Sequence, residues 1–252
     1  MPSQGFSLRS LAVGGPGTLF DVEIFCPDAG GETTSAQEQH GLEDRGLSAI
    51  VLRVSDMGAA LAALAERGVQ ATSRAIYDAA GRKRIDLAIL PDMPDAATSV
   101  RLMQPAMSDD ERIAEYLGGQ SHALPLKRLD HLAAVAPDLE RSCRFWYEVL
   151  GVPTVGEVVS PTTVVRQLKI GDAMFELLGP AGSDSPIRQR PPGLSSSCSF
   201  EVPDLEAAVA HARGAGFNVP DPRIGTLPGT IVSTIPSTEM SGLNVQLLQY
   251  VG

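Results

Sequence analysis

An internal repeat is the feature of this sequence that most constrains its fold. The segment Gly46–Val69 aligns with Gly193–Val219: both open with Gly-Leu-Ser, reach a Val-x-Asp, and then carry an alanine-rich segment that ends near a glycine. A third copy begins at Leu129, and its tail, Ala173–Pro180, resembles Asp21–Pro27 near the N-terminus. Self-similarity of this kind predicts one supersecondary unit that is used several times.

Each copy predicts a strand, then a helix, then three further strands. Asp138 and Asp204 stand where their carboxylates can accept the first free N–H groups of a helix. Apolar residues recur at helical spacing after Asp138 and form one stripe: Leu139, Cys143, Trp146 and Leu150. We predict a βαβββ unit that is present about three and a half times, because residues 6–29 contain only the last strands of a first copy.

A single unit of this size buries its sheet face and its helix poorly, so we expect units to pair. The fold class is predicted to be α+β, with paired βαβββ modules forming two cup-shaped half-barrels and with the first module truncated. The lobes are residues 1–105 and 127–252, joined by residues 106–126. The truncation exposes a sheet edge, and we expect either a partner subunit that covers it, as in a homodimer, or an N-terminus lost to a misplaced start.

The net charge and the composition of the chain limit the classes of molecule that it could bind. Twenty basic and thirty acidic residues give a net charge of −10, which argues against nucleic acid and against an anionic membrane surface. The sequence has no apolar run long enough to span a bilayer and no visible secretory signal, and its three cysteines fit a reducing compartment. We therefore expect a cytoplasmic protein that binds a small molecule.

Four short motifs resemble the vicinal oxygen chelate superfamily, which includes glyoxalase I, methylmalonyl-CoA epimerase, bleomycin-binding proteins and extradiol dioxygenases. The resemblance is strong over residues 127–252 and weaker over 46–104. The residues that carry it are Leu129-Asp130-His131, Pro137-Asp138-Leu139, Phe145–Gly151 and Phe175-Glu176-Leu177-Leu178.

The resemblance implies a cup with a divalent metal (Mg, Mn, Zn, Co or Fe) in its mouth. Carried over by position, the metal ligands are His131, Glu176 and Gln246, and Glu176 is also the catalytic base. Two positions depart from the family pattern, because Ser197 stands where a histidine is usual and Gln246 where a carboxylate is usual. Alternatively, His131 is a polar residue at a strand start, Gln246 is a satisfied amide, and Trp146 and Tyr147 belong to the core rather than to a ligand platform.

Three functions follow from the resemblance. The first is an enzyme of the glyoxalase type, a lyase or isomerase that moves a proton on a small oxygenated metabolite with the help of a metal. The second is a metal-free protein that sequesters a small molecule, as bleomycin-resistance proteins do. The third is an extradiol ring-cleavage dioxygenase, which is disfavoured because its iron site requires two histidines and a carboxylate, and only His131 stands at a ligand position.

Overall fold

The computed structural model describes residues 6–13, 20–27, 47–78, 80–117, 124–240 and 242–252, the first two ranges by their backbone alone. The helices in this part of the chain are α1 (Met57–Glu66), α2 (Asp109–Leu117), α3 (Leu139–Glu148) and α4 (Leu205–Gly214). The strands are β1 (Phe6–Val13), β2 (Phe20–Pro27), β3 (Ala49–Arg53), β4 (Ser73–Tyr77), β5 (Lys83–Ile89), β6 (Ser99–Pro105), β7 (Arg128–Val135), β8 (Thr154–Val159), β9 (Thr163–Ile170), β10 (Ala173–Pro180), β11 (Gly193–Glu201), β12 (Arg223–Ile224), β13 (Thr230–Ile235) and β14 (Asn244–Tyr250).

The predicted repeat is present in the element order. The series β3-α1-β4-β5-β6, β7-α3-β8-β9-β10 and β11-α4-β12-β13-β14 each give one βαβββ unit, and the first copy contributes the antiparallel pair β1-β2 to the described residues. The α+β class built from these modules is therefore confirmed. Part of the predicted linker, residues 118–123, lies outside the described residues.

The three module helices begin in the same way, with an aspartate that caps the first turn. Each carboxylate accepts a hydrogen bond from the backbone N–H three residues later, which satisfies one of the free donors at the helix start. The pairs are Asp56 with Ala59 at 2.9 Å, Asp138 with Arg141 at 3.0 Å and Asp204 with Ala207 at 2.9 Å.

The chain divides into two compact units that interleave along the sequence. Unit 1 comprises Met1–Ser48, Asp109–Asp130 and Ser196–Gly252, and unit 2 comprises Ala49–Ser108 and His131–Ser195. The strand orders are β1-β2 and β12-β13-β14-β11 for strands that lie wholly or mainly in unit 1, and β3-β6-β5-β4 and β7-β10-β9-β8 for strands that lie wholly or mainly in unit 2. The lobes 1–105 and 127–252 are defined by the repeats rather than by these units, and they stay a prediction.

The core of unit 2 centres on Trp146 of α3, which is fully buried. Its ring lies 4.6 Å from that of Phe175 on β10, centroid to centroid, and its Nε1 donates a hydrogen bond of 3.0 Å to the carbonyl oxygen of Ala96. This bond satisfies the polar atom of the indole inside an apolar core. It also joins the third copy of the repeat to the second.

Tyr147 shows where the expectation for α3 fails. We expected it to pack in the core beside Trp146, but its side chain is 63% exposed. Successive residues of an α-helix point about 100° apart, so the residue after a fully buried tryptophan turns toward solvent. The placement of Tyr147 in the core is therefore wrong.

Unit 1 contains the fourth copy from Ser196 onward, and the apolar residues of α4 form a stripe along the helix. Leu205, Ala208, Val209 and Ala212 are all buried. The side chain of Gln249 on β14 accepts a hydrogen bond of 2.8 Å from the backbone N–H of Leu205 and so ties the start of α4 to the sheet. Among the described residues, no helix is long and apolar enough to cross a membrane.

Candidate functional site

In unit 2, His131 and Glu176 lie on the same face of two paired strands. Strands β7 and β10 run parallel, with His131 opposite Met174 and Glu176 opposite Ala133. Side chains alternate along a strand and directly opposed residues share a face, so His131 and Glu176 are diagonal neighbours. The strand spacing and rise put their Cα atoms roughly 8 Å apart.

The other face of the same strands belongs to the core. Phe175 and Leu177 alternate with Glu176 along β10, both are buried, and Phe175 meets Trp146 of α3. Helix α3 therefore covers the face opposite to His131 and Glu176. The alternation in the sequence Met-Phe-Glu-Leu-Leu already indicated this division of β10.

Glu176 is a buried carboxylate, with 7% of its surface exposed. Its Oε1 accepts a hydrogen bond of 2.9 Å from Nε2 of Gln167 on the neighbouring strand β9. Within the described residues, Oε2 of Glu176 accepts no hydrogen bond. A carboxylate that is withdrawn from water and held by one donor keeps a basic oxygen for a ligand, a cation or a proton.

Gln246 lies in unit 1, on β14, where it is paired with Ser199 of β11 and Thr234 of β13. The hydroxyl of Ser199 donates a hydrogen bond of 3.1 Å to Oε1 of Gln246. The oxygen that a metal would require from Gln246 is therefore already in use, although a carbonyl oxygen can accept twice. Ser197, at the other departing position, pairs with Asn244.

The donor atoms of the chain limit the kind of divalent cation that this sheet face could hold. Among the described residues, no group of three or more His, Cys, Asp and Glu side chains is placed to hold a metal ion. One imidazole and one carboxylate on a single sheet face fit a weakly held cation that keeps several water ligands, as Mg²⁺ does. They do not make a closed centre with four protein ligands.

A cluster of charged side chains in unit 1 was not found by sequence reasoning. Arg128 binds Asp130 through Nη2 at 2.8 Å and Glu201 through Nε at 2.8 Å, and Lys127 also pairs with Glu201. Asp130 is 2% exposed and Glu201 is 8% exposed. Tyr250 completes the cluster by donating its hydroxyl to Oδ2 of Asp130 at 2.9 Å.

Burial raises the pKa of the Tyr250 phenol to about 12, and its hydrogen bond to Asp130 acts in the same direction. The phenol therefore stays protonated near neutral pH and acts as a donor. Because each carboxylate in the cluster has a cation as a partner, the arrangement has the character of a structural network rather than of a reactive site.

The chain is similar to known proteins of one superfamily. Residues 128–245 match the Glyoxalase/Bleomycin resistance protein/Dioxygenase superfamily. The chain is 31% identical over 133 residues to a mitochondrial methylmalonyl-CoA epimerase of Bos taurus, a match that covers 49% of this chain and 75% of the bovine protein. It is 30% identical over 131 residues to an ethylmalonyl-CoA/methylmalonyl-CoA epimerase of Cereibacter sphaeroides, covering 48% of this chain and 97% of that protein.

Other matches are shorter or more distant. Identity to the mitochondrial methylmalonyl-CoA epimerase of Mus musculus is 37% over 91 residues, and the chain spans about half, 51%, of the length of that relative and 33% of its own. Among solved structures, methylmalonyl-CoA epimerase from Mycobacterium tuberculosis is similar at 21% identity, with a TM-score of 0.47, over 53% of this chain and 95% of that one.

Proposed function

The chain belongs to the glyoxalase/bleomycin resistance protein/dioxygenase superfamily, and on this premise we propose that it is an isomerase that moves a proton at a carbon next to a carbonyl. The observation that carries the proposal is Glu176, a buried carboxylate with one oxygen held by Gln167 and the other without a hydrogen bond in the described part of the chain. A general base requires such a group, because proton transfer needs a basic atom at a fixed position.

In the proposed reaction, the Glu176 carboxylate takes the proton from the carbon. The electron pair of the broken C–H bond moves toward the carbonyl, whose oxygen becomes an enolate oxygen. Return of the proton from Glu176 restores the starting configuration. A proton taken from solvent on the opposite face inverts the centre, and Glu176 then releases its own proton to solvent. No oxidant or second substrate is consumed.

His131 and Glu176 are the residues of unit 2 that would hold a divalent cation. Gln246, which lies in unit 1, stays a candidate ligand on the family pattern alone. A bound cation would supply positive charge that stabilises the enolate oxygen. Glu176 is the group that moves the proton whether or not a cation is bound.

The substrate class that we propose is a branched acyl-CoA thioester of the methylmalonyl kind. This follows the names of the relatives in Bos taurus and Cereibacter sphaeroides. The carbon between a thioester and a carboxylate carries an acidic proton, which is the type of proton that one buried carboxylate can remove. We also propose a cytoplasmic homodimer, for which sedimentation at about twice the 26.5 kDa chain mass is the measurement.

The test follows deuterium from D₂O into carbon 2 of methylmalonyl-CoA by mass spectrometry. The protein is expected to catalyse the exchange, and Glu176→Gln to lose at least roughly a hundredfold of the rate. Glu206→Gln, which changes an exposed carboxylate on α4, is the matched control and should keep the full rate. Unchanged exchange in Glu176→Gln contradicts the role of Glu176, and binding of the thioester without exchange indicates a sequestering protein.

A further inference from the structure

We infer that Gln167 is a positioning residue for Glu176 and that Gly156, with the β-bulge before it, provides the space that the Gln167 amide occupies. The inference rests on the proposed function for its effect on rate. Its structural part concerns three neighbouring strands of unit 2 and is tested independently.

The three residues form one row across the sheet. Glu176 on β10 is directly opposite Gln167 on β9, and Gln167 is directly opposite Gly156 on β8. Directly opposed residues share a face, so the Gln167 amide lies between Gly156 on one side and the Glu176 carboxylate on the other. Its Nε2 donates to Oε1 of Glu176 at 2.9 Å.

The bulge decides which residue lies beside Gln167. Thr154 is opposite Leu168, yet the next residue of β9, Gln167, is opposite Gly156, so Val155 is left as an extra residue. Regular pairing would put Val155 opposite Gln167. Bulges re-aim side chains in this way, and here the result is that a residue without a side chain lies next to the amide.

Space at Gly156 is fully used by Gln167. A Cβ atom built on Gly156 would lie 2.7 Å from Oε1 of Gln167, closer than real Cβ contacts, and 3.6 Å from its Cβ. The crowded atom is the far end of a flexible side chain, so alanine at position 156 would displace the amide and leave the strands in place. A glycine inside a strand often marks such a close approach.

Displacing the amide removes the one hydrogen bond that the Glu176 side chain makes within the described residues. A carboxylate without that donor rotates more freely and spends less time in the orientation needed for proton transfer. Hydrogen bonds to charged groups are worth enough to change a rate by roughly tenfold to a hundredfold. A positioning role therefore predicts that the change falls on kcat rather than on KM.

The kinetic test compares Gln167→Met, Gly156→Ala and the double variant. We expect kcat to fall by roughly tenfold or more in each, with KM and the melting temperature of Gly156→Ala unchanged. The double variant should be no slower than Gln167→Met, because both changes act on the same hydrogen bond. Gly182→Ala is the matched control, since a Cβ there meets no atom within 4 Å. Additive losses in the double variant, or a loss confined to KM, would overturn the inference.

A second readout needs no activity. In ¹H–¹⁵N spectra the side-chain amide signals of Gln167 are identified by their loss in Gln167→Met. These signals are expected to shift in Glu176→Gln and in Gly156→Ala, and to keep their positions in Gly182→Ala. If these signals keep their positions in both Glu176→Gln and Gly156→Ala, the positioning role of Gln167 is overturned. If the signals shift while the wild-type protein exchanges no proton, the contact stands and the proposed function fails.

Discussion

The hydroxyl of Tyr250 donates a hydrogen bond of 2.9 Å to the carboxylate of Asp130, which lies 120 positions earlier in the chain. Asp130 is almost fully buried and is also bound by Arg128. The guanidinium of Arg128, the carboxylate of Asp130 and the phenol of Tyr250 are therefore in contact at the ends of strands from two copies of the repeat. We expect the free energy of unfolding of unit 1 to depend on these contacts.

Tyr250→Phe is predicted to destabilise the protein by about 1 kcal/mol at neutral pH, because Asp130 loses a donor while Tyr250 is partly exposed. The Tyr250 pKa is raised from 10 to about 12, so its contribution is complete below pH 10 and is lost as the pH rises through 12. Urea unfolding at several pH values checks this. The difference between wild type and variant should shrink above pH 10, and a constant difference would contradict the prediction.

Arg128→Met is predicted to cost about 3 kcal/mol of unfolding free energy. The substitution removes the guanidinium that binds the buried carboxylates of Asp130 and Glu201. Losing a cationic partner of a buried carboxylate is expensive, even though Lys127 still pairs with Glu201. Arg82→Met is the control, because its ion pair with Asp78 is exposed and should be worth less than about 1 kcal/mol. Equal losses in the two variants would show that the network contributes no more than a surface pair.

Trp146→Phe is predicted to cost about 3 kcal/mol of unfolding free energy. The change opens space in a core position with no exposure and leaves the carbonyl oxygen of Ala96 without its donor. Tyr147→Phe, next in the sequence but 63% exposed, should change stability by less than about 0.5 kcal/mol. Thermal and urea unfolding distinguish the two, and similar effects would contradict the placement of the residues.

Metal binding is predicted to be weak and to depend on His131 and Glu176. Titration with Mn²⁺, followed by electron paramagnetic resonance after exhaustive dialysis, should show affinity that falls roughly tenfold or more in His131→Ala and in Glu176→Ala. The exposed His211 provides the control His211→Ala, and a wild-type protein that takes up no Mn²⁺ would contradict the prediction.

Much of the secondary structure could be predicted because the repeat presents the same signals several times. The aspartates at 56, 138 and 204 all cap helices, and the apolar stripe after Asp204 is buried. The common face of His131 and Glu176 also follows from alternation, once their strands are known to pair. The parallel pairing of these two strands was not predicted, since periodicity does not identify which strands are neighbours.

Other parts of the site had no readable signal. The sequence does not show that Val155 is the extra residue of a bulge, because it is one of several valines in this strand. The close approach of Gly156 to Gln167 could therefore not be predicted. The network around Arg128 joins residues from the start of one module and the end of another, and their charges look like ordinary surface charges in the sequence. Tyr147 was wrongly predicted to lie in the core, because the spacing of apolar residues does not show how wide the buried face of the helix is.

The single tryptophan of the chain is Trp146, which lies in the apolar interior of unit 2. Its intrinsic fluorescence therefore reports on the unfolding of unit 2 and not on that of unit 1. If the emission shifts to the red at a lower denaturant concentration than the far-ultraviolet circular dichroism signal is lost, the two units unfold in separate steps. If the two unfolding curves coincide, the units unfold in one cooperative transition.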